Sequence, residues 1–168
     1  MDSRVKPDAE RVGGNNRMGS GGRTAGRTGL CAGTDVLTLE GSMPVDHLAP
    51  GDRIITRDTG MAVLRELRCL RTRYIPVTFR AGSLGHTRPD RDTTLPDGTL
   101  VHVRDWRARA LFGAPTATVP AARLVDGEFV SSGAPITGRL YQLVFDTAHI
   151  LYADGLEIAA GIDPDQPG

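Results

Sequence analysis

From Asp35 onward the apolar residues fall in short runs, many with period two, separated by turn-forming Gly, Pro, Asp and Ser. That alternation predicts half-buried strands rather than amphipathic helices. Strands are expected around Val36 and Ile54-Ile55. They are bounded by Glu40-Gly41-Ser42, Pro50-Gly51-Asp52 and Asp58-Thr59-Gly60. A longer strand is expected to start at Met61 and run past Leu67, Cys69 and Leu70, with Arg65, Arg68, Arg71 and Arg73 interspersed as on a half-solvated strand. Residues 75–79 read as a strand entered through Pro76, which suits a strand start or an edge. Residues 82–94 are polar and turn-rich. In 99–104, Leu100, His102 and Arg104 share one face, and Val101 and Val103 the other.

Residues 106–112 fit a helical turn. The best helix is predicted at 120–125, with Pro120 in its first turn and Gly127 just past its end. Strands at 140–145 and 150–153 flank Asp146-Thr147-Ala148-His149, and Asp154-Gly155 is a two-residue hairpin signal. Together these give an all-β domain with one or two short helices.

Residues 1–28 break the pattern. They carry six glycines after position 12, with Arg11, Arg17, Arg23 and Arg27 between them and little to bury, so a disordered Gly/Arg-rich tail is expected. The folded domain is expected over 29–160, with a flexible tail over 161–168. Lys+Arg and Asp+Glu are both 20, so charge gives no overall pull toward nucleic acid or membrane. No run approaches the ~18 apolar residues of a spanning helix, and there is no secretory h-region, so a cytoplasmic monomer with reduced thiols is the default expectation. The two cysteines, Cys31 and Cys69, are too few for a disulfide framework, and whether they bridge is left open. No metal-ligand spacing appears, and no cofactor motif: Gly19-Ser20-Gly21-Gly22 lacks the Lys and flanking elements of a phosphate loop. Cys69, among Leu67 and Leu70, reads as a buried structural thiol. His47 and His86 read as loop residues. Arg104, Arg107 and Arg109 read as a solvated rim around a buried Trp106, with a small anion-binding patch as the alternative.

Four blocks together resemble the bacterial Hint (hedgehog/intein) domains. The first is Ala32-Gly33-Thr34-Asp35-Val36-Leu37-Thr38-Leu39-Glu40-Gly41-Ser42-Met43-Pro44-Val45, continuing to Leu48-Ala49-Pro50-Gly51-Asp52-Arg53. The second is Arg80-Ala81-Gly82-Ser83-Leu84-Gly85. The third is Val103-Arg104-Asp105-Trp106-Arg107-Ala108, then Leu111-Phe112-Gly113 and Val119-Pro120-Ala121-Ala122-Arg123-Leu124-Val125. The fourth is Leu143-Val144-Phe145-Asp146, then Tyr152-Ala153-Asp154-Gly155-Leu156. The resemblance implies a compact, curved, all-β fold. It also implies a chemistry in which a first-residue Cys or Ser attacks the carbonyl before it. A central His then protonates the departing nitrogen, and a later acid or His assists the second step.

Carried over position by position, that machinery is displaced. Registered on Gly33-Thr34, the nucleophile position falls on Gly29. Cys31 lies two residues later, ~6–7 Å along a strand, and Ala32 stands where the family has Pro. The central His position falls on Gly98 or Thr99, with His102 nearby on the next strand. The late His position falls on Ala148, and His149, one residue on, faces the other way unless a bulge intervenes. Asp146 stands where the family's Asp stands, and otherwise reads as a turn cap. No Asn follows Asn16, so splicing through Asn cyclisation is not expected.

The candidate catalytic residues are therefore Cys31, His102, His149 and Asp146. The expected function is a degenerate Hint domain serving as a binding or accessory module for a protein partner of unstated identity. The alternatives are an autoprocessing domain that uses Cys31 to cut after Leu30, and a β adaptor whose partner contacts the Arg-rich strand at 65–73.

Overall fold

The computed structural model describes residues 27–85 and 87–161. The expected tail over 1–26, His86 and residues 162–168 lie outside them. Among the described residues, fourteen short strands and one α-helix follow one another in chain order. The strands are β1 (Leu30–Cys31), β2 (Asp35–Thr38), β3 (Gly41–Pro44), β4 (Arg53–Thr56), β5 (Gly60–Val63), β6 (Glu66–Tyr74) and β7 (Pro76–Phe79). Then come β8 (Thr93–Pro96), β9 (Leu100–Val103), helix α1 (Trp106–Phe112), β10 (Ala117–Pro120), β11 (Val130–Ser132), β12 (Ile136–Val144), β13 (His149–Ala153) and β14 (Leu156–Ala160).

An eight-stranded sheet runs in the order β10-β9-β14-β13-β2-β4-β5, with β3 paired to β2. Two three-stranded sheets, β11-β7-β8 and β1-β12-β6, complete the fold. The hairpin β13–β14 is inserted between the N-terminal strands β2 and β4 on one side and β9 on the other. Strand β12 brings the start and end of the domain together. Leu30 pairs with Tyr141, and Gly161 makes a bridge to Val144. The hairpin turn is the expected Asp154-Gly155, both residues at positive φ (49° and 85°), as a two-residue turn matched to strand twist requires. Val36, Ile54, Leu64, Phe79, Leu95, Leu151 and Ile158 lie at the centre of one continuous core.

Two expectations need correction. The strand expected to run unbroken from Met61 to Leu70 is two strands, because the Leu64 N–H turns to Asp52 O and the Arg65 N–H to Val144 O. The helix expected at 120–125 is a single 3-10 turn, Ala121–Leu124. Pro120 is the end of β10, opposite Leu100, and the Ala121 N–H is committed to Thr99 O. Helix α1, by contrast, forms as the sequence suggests. Asp105 caps its start by accepting from the Arg107 N–H, and Gly113 ends it at φ 71°.

Candidate functional site

The point where the chain enters the domain is held by a small set of contacts. The Thr99 hydroxyl accepts from the Gly29 N–H at 3.2 Å and donates to the Gly29 carbonyl at 2.7 Å. The Gly98 N–H donates to Arg27 O at 2.8 Å. From the other side, the Gln142 side-chain amide donates to Thr28 O at 3.2 Å. Residues 27–29 are thus tied to the start of β9 and to β12 before β1 begins.

Gly29 sits at φ 129°, a region that side-chain-bearing residues rarely occupy. A Cβ there would lie 2.9 Å from the Tyr141 carbonyl oxygen and 3.3 Å from Gln142 Cγ. The position is closed to a side chain in this geometry.

Beside this strap lies a cavity of about 320 Å³. Gly29 and Leu30 form one wall, Thr99 and Leu100 another, Tyr141 to Leu143 a third, and Ile158 to Gly161 with Ala148 the last. Gly29, Thr99 and Ala148, from three distant parts of the chain, therefore face one space. At its far end Gly161 adopts φ 113°, and its Phe145-facing side has no room for a Cβ, which would fall 2.7 Å from Phe145 Cδ2.

The family model of the Hint domain matches residues 28–160, from the entry strap to the last strand. The chain belongs to the Hint domain family. Solved structures agree on the fold. The bacterial intein-like domain of Clostridium thermocellum superimposes with a TM-score of 0.53 at 15% identity, covering 81% of this chain and 99% of that one. A variant of the Ssp DnaB mini-intein gives 0.53 at 13% identity, covering 86% and 99%. The MchDnaB-1 intein gives 0.51 at 12% identity, covering 79% and 99%. No curated protein matches the sequence.

Within this Hint domain the candidate catalytic residues have separate surroundings. Cys31 is half-buried on β1, with its Sγ 3.5 Å from Tyr74 Oη. Burial pushes the thiol above its ordinary value, only partly offset by that hydrogen bond, and Tyr74 is pushed up to about 12 by burial and by Cys31. Both groups stay protonated near neutral pH, and a thiol is a much weaker nucleophile than a thiolate.

His102 lies on β9 with its Nδ1 3.2 Å from the Thr118 hydroxyl. Desolvation lowers its pKa, and Arg57, Arg104 and Arg88 push in the same direction against Glu157. It is therefore a neutral imidazole near pH 7.

His149 turns away from the cavity that Ala148 lines. Its Nδ1 is 3.0 Å from Asp58 Oδ2, and its ring meets Phe145 edge-on at 5.5 Å. Burial would raise the Asp58 carboxyl, but the Ile150 N–H and His149 hold it low. Asp146 does not cap a turn. It makes a two-pronged exposed pair with Arg65, at 3.1 and 3.0 Å. None of Cys31, His102, His149 and Asp146 lines the cavity.

Other expected residues also differ. Cys69 is exposed on the outward face of β6, opposite Tyr141, rather than buried, and both cysteines are free. Trp106 is 68% exposed and stacks under Arg107, so it is no buried centre of an arginine rim. Arg107 is committed to Asp105 at 2.6 Å and to Ser83 O at 2.7 Å. Arg104 binds Glu157 at 2.6 Å. His47 closes a 3-10 turn, Val45–His47, beside Asp46.

Sequence reasoning passed over Glu157, which is only 2% exposed and meets Arg57, Arg88 and Arg104 together. An acidic residue at an apolar position of a strand was the signal that could have found it. Among the described residues no group of His, Cys, Asp and Glu could hold a metal ion, and no helix is long and apolar enough to cross a membrane.

Proposed function

We propose that this Hint domain has lost self-cleavage and works as a binding module. The observation that carries the reading is the convergence of Gly29, Thr99 and Ala148 on one cavity. Block by block, the family resemblance assigns the nucleophile to Gly29, the central His to Gly98 or Thr99, and the late His to Ala148. Gly29 offers no nucleophile, and Thr99 spends its hydroxyl on the Gly29 backbone. Its neighbour Gly98, the other candidate for the central position, has no side chain. Ala148 offers no proton. The fold retains the pocket while these positions supply none of the groups that nucleophilic and general-acid catalysis require.

The competing reading, cleavage after Leu30 by Cys31, needs a thiolate and a proton donor at the Leu30-Cys31 peptide. Cys31 instead has a raised pKa and a neutral Tyr74 as its partner. Intact mass after incubation with a strong thiol is the test. Full-length chain is expected. A fragment starting at Cys31, absent from Cys31→Ala, would overturn the proposal in favour of autoprocessing.

A further inference from the structure

The cavity that replaces the catalytic centre has a definite chemistry of its own. Leu30, Leu100, Tyr141, Leu143 and Ile158 are the large apolar residues among those that line it, and among the described residues no Asp, Glu, Lys, Arg or His lines it. Its polar neighbours are already paired within the chain. Thr99 is engaged by both backbone groups of Gly29, and the Gln142 amide by Thr28. An ionic occupant would lose its hydration and gain no counter-charge.

We propose that this cavity is a binding site for a compact, uncharged, apolar molecule. The inference rests on the reading of the domain as a binding module and names what that site takes. Size sets the upper limit. An apolar cavity of about 150 Å³ stays dry and takes up benzene, so 320 Å³ scales to about a dozen heavy atoms. A fused aromatic or branched aliphatic molecule of that size fits.

The residues at the mouth make entry direct. Leu100 is 39% exposed and Ala148 is exposed, and neither adds a charge. The chain's own outer segments are poor occupants on composition. Residues 162–168 hold one large apolar side chain, Ile162, among Asp, Pro, Gln and Gly, and residues 1–26 carry Gly or Arg at ten positions, with Met1, Val5, Val12 and Met18 as single larger apolar residues.

The probe pair is naphthalene and its charged analogue 2-naphthoate, titrated into the full-length protein and followed by amide NMR. Naphthalene is expected to shift Gly29, Tyr141, Gln142 and Ala159 to Gly161 in one saturable step. The carboxylate is expected to bind at least tenfold more weakly. Ala160→Phe, which fills the cavity from β14, is expected to abolish the shifts while its amide spectrum stays folded. Ala148→Trp, which blocks the mouth from a loop, provides the same result should Ala160→Phe fail to fold.

Three results would overturn the inference: no saturable shift up to the solubility of naphthalene, shifts centred away from the cavity, or equal binding of the carboxylate. Binding that appears only in Ile162→Asp would assign the site to the chain's own segment and would also overturn it. Intact mass is read on the same sample. Cleavage there sinks the binding-module reading, whereas intact protein without naphthalene binding sinks only the ligand assignment.

Discussion

Placing a nucleophile at Gly29, where the family resemblance assigns it, should damage the protein. Gly29→Cys places a Cβ at φ 129°, 2.9 Å from the Tyr141 carbonyl oxygen and 3.4 Å from Leu140 Cβ. The backbone conformation alone costs about 1–3 kcal/mol for a residue with a side chain. The contact with a backbone oxygen on β12 adds an overpacking cost of about 1–3 kcal/mol. Residues 27–29 lie at the edge of the domain and can relax in part, so a loss of about 2–4 kcal/mol is expected.

Gly33→Ala provides the control. Gly33 also has a positive φ, 87°, but a Cβ added there would meet nothing within 4 Å. Only the conformational cost of about 1–2 kcal/mol applies. Urea unfolding of wild type and both variants, with a shared m-value, measures the difference. A Gly29→Cys variant that unfolds within about 0.5 kcal/mol of wild type, or that loses no more than Gly33→Ala, would refute the steric argument.

Glu157→Gln removes the one carboxylate shared by Arg57, Arg88 and Arg104. Breaking a buried pair costs ~3–5 kcal/mol, and the partly exposed guanidiniums reduce this to about 2–4 kcal/mol by urea unfolding. Burial alone would raise the Glu157 carboxyl, but the hydrogen bond and charge of Arg104, with Arg88 and Arg57, hold it below its ordinary value. A lowered folded pKa contributes stability that is present above the unfolded value and lost as pH falls through the folded one. Wild type should therefore lose stability on acidification below the ordinary carboxylate range more steeply than Glu157→Gln, and parallel pH profiles would contradict this. In alkylation followed by peptide mass, the exposed Cys69 should label before Cys31. Cys31 should label appreciably only above the usual thiol range, and early labelling of Cys31 at neutral pH would show a thiolate that the structure does not provide.

Much of the fold was legible because period-two patterning and turn residues report local structure directly. Val101 and Val103 face the core while Leu100 and His102 do not, as alternation requires. Asp154-Gly155 makes its turn for reasons contained in two residues. What was not legible depended on partners far along the chain. Residues 120–125 carry helix signals, yet the pairing of Pro120 with Leu100 claims the segment for a strand end. Cys69 looked buried beside two leucines, but the nine-residue pairing of β6 with β12 sets which face of that strand meets solvent.

The site divides the same way. The family resemblance assigns the catalytic positions to Gly29, Gly98 or Thr99, and Ala148. The cavity that Gly29, Thr99 and Ala148 line is built by β1, β9, β12 and β14 together, and no segment alone predicts it. Glu157 was missed because its three arginine partners lie 53 to 100 residues away.

Whether this Hint domain can still open its own backbone is the central question. Prolonged incubation of full-length protein with hydroxylamine, which traps any ester or thioester that forms, followed by intact-mass measurement, tests it most directly. A single species at the full-length mass is the predicted result. A hydroxamate-terminated fragment ending at Leu30 would contradict the loss of self-cleavage.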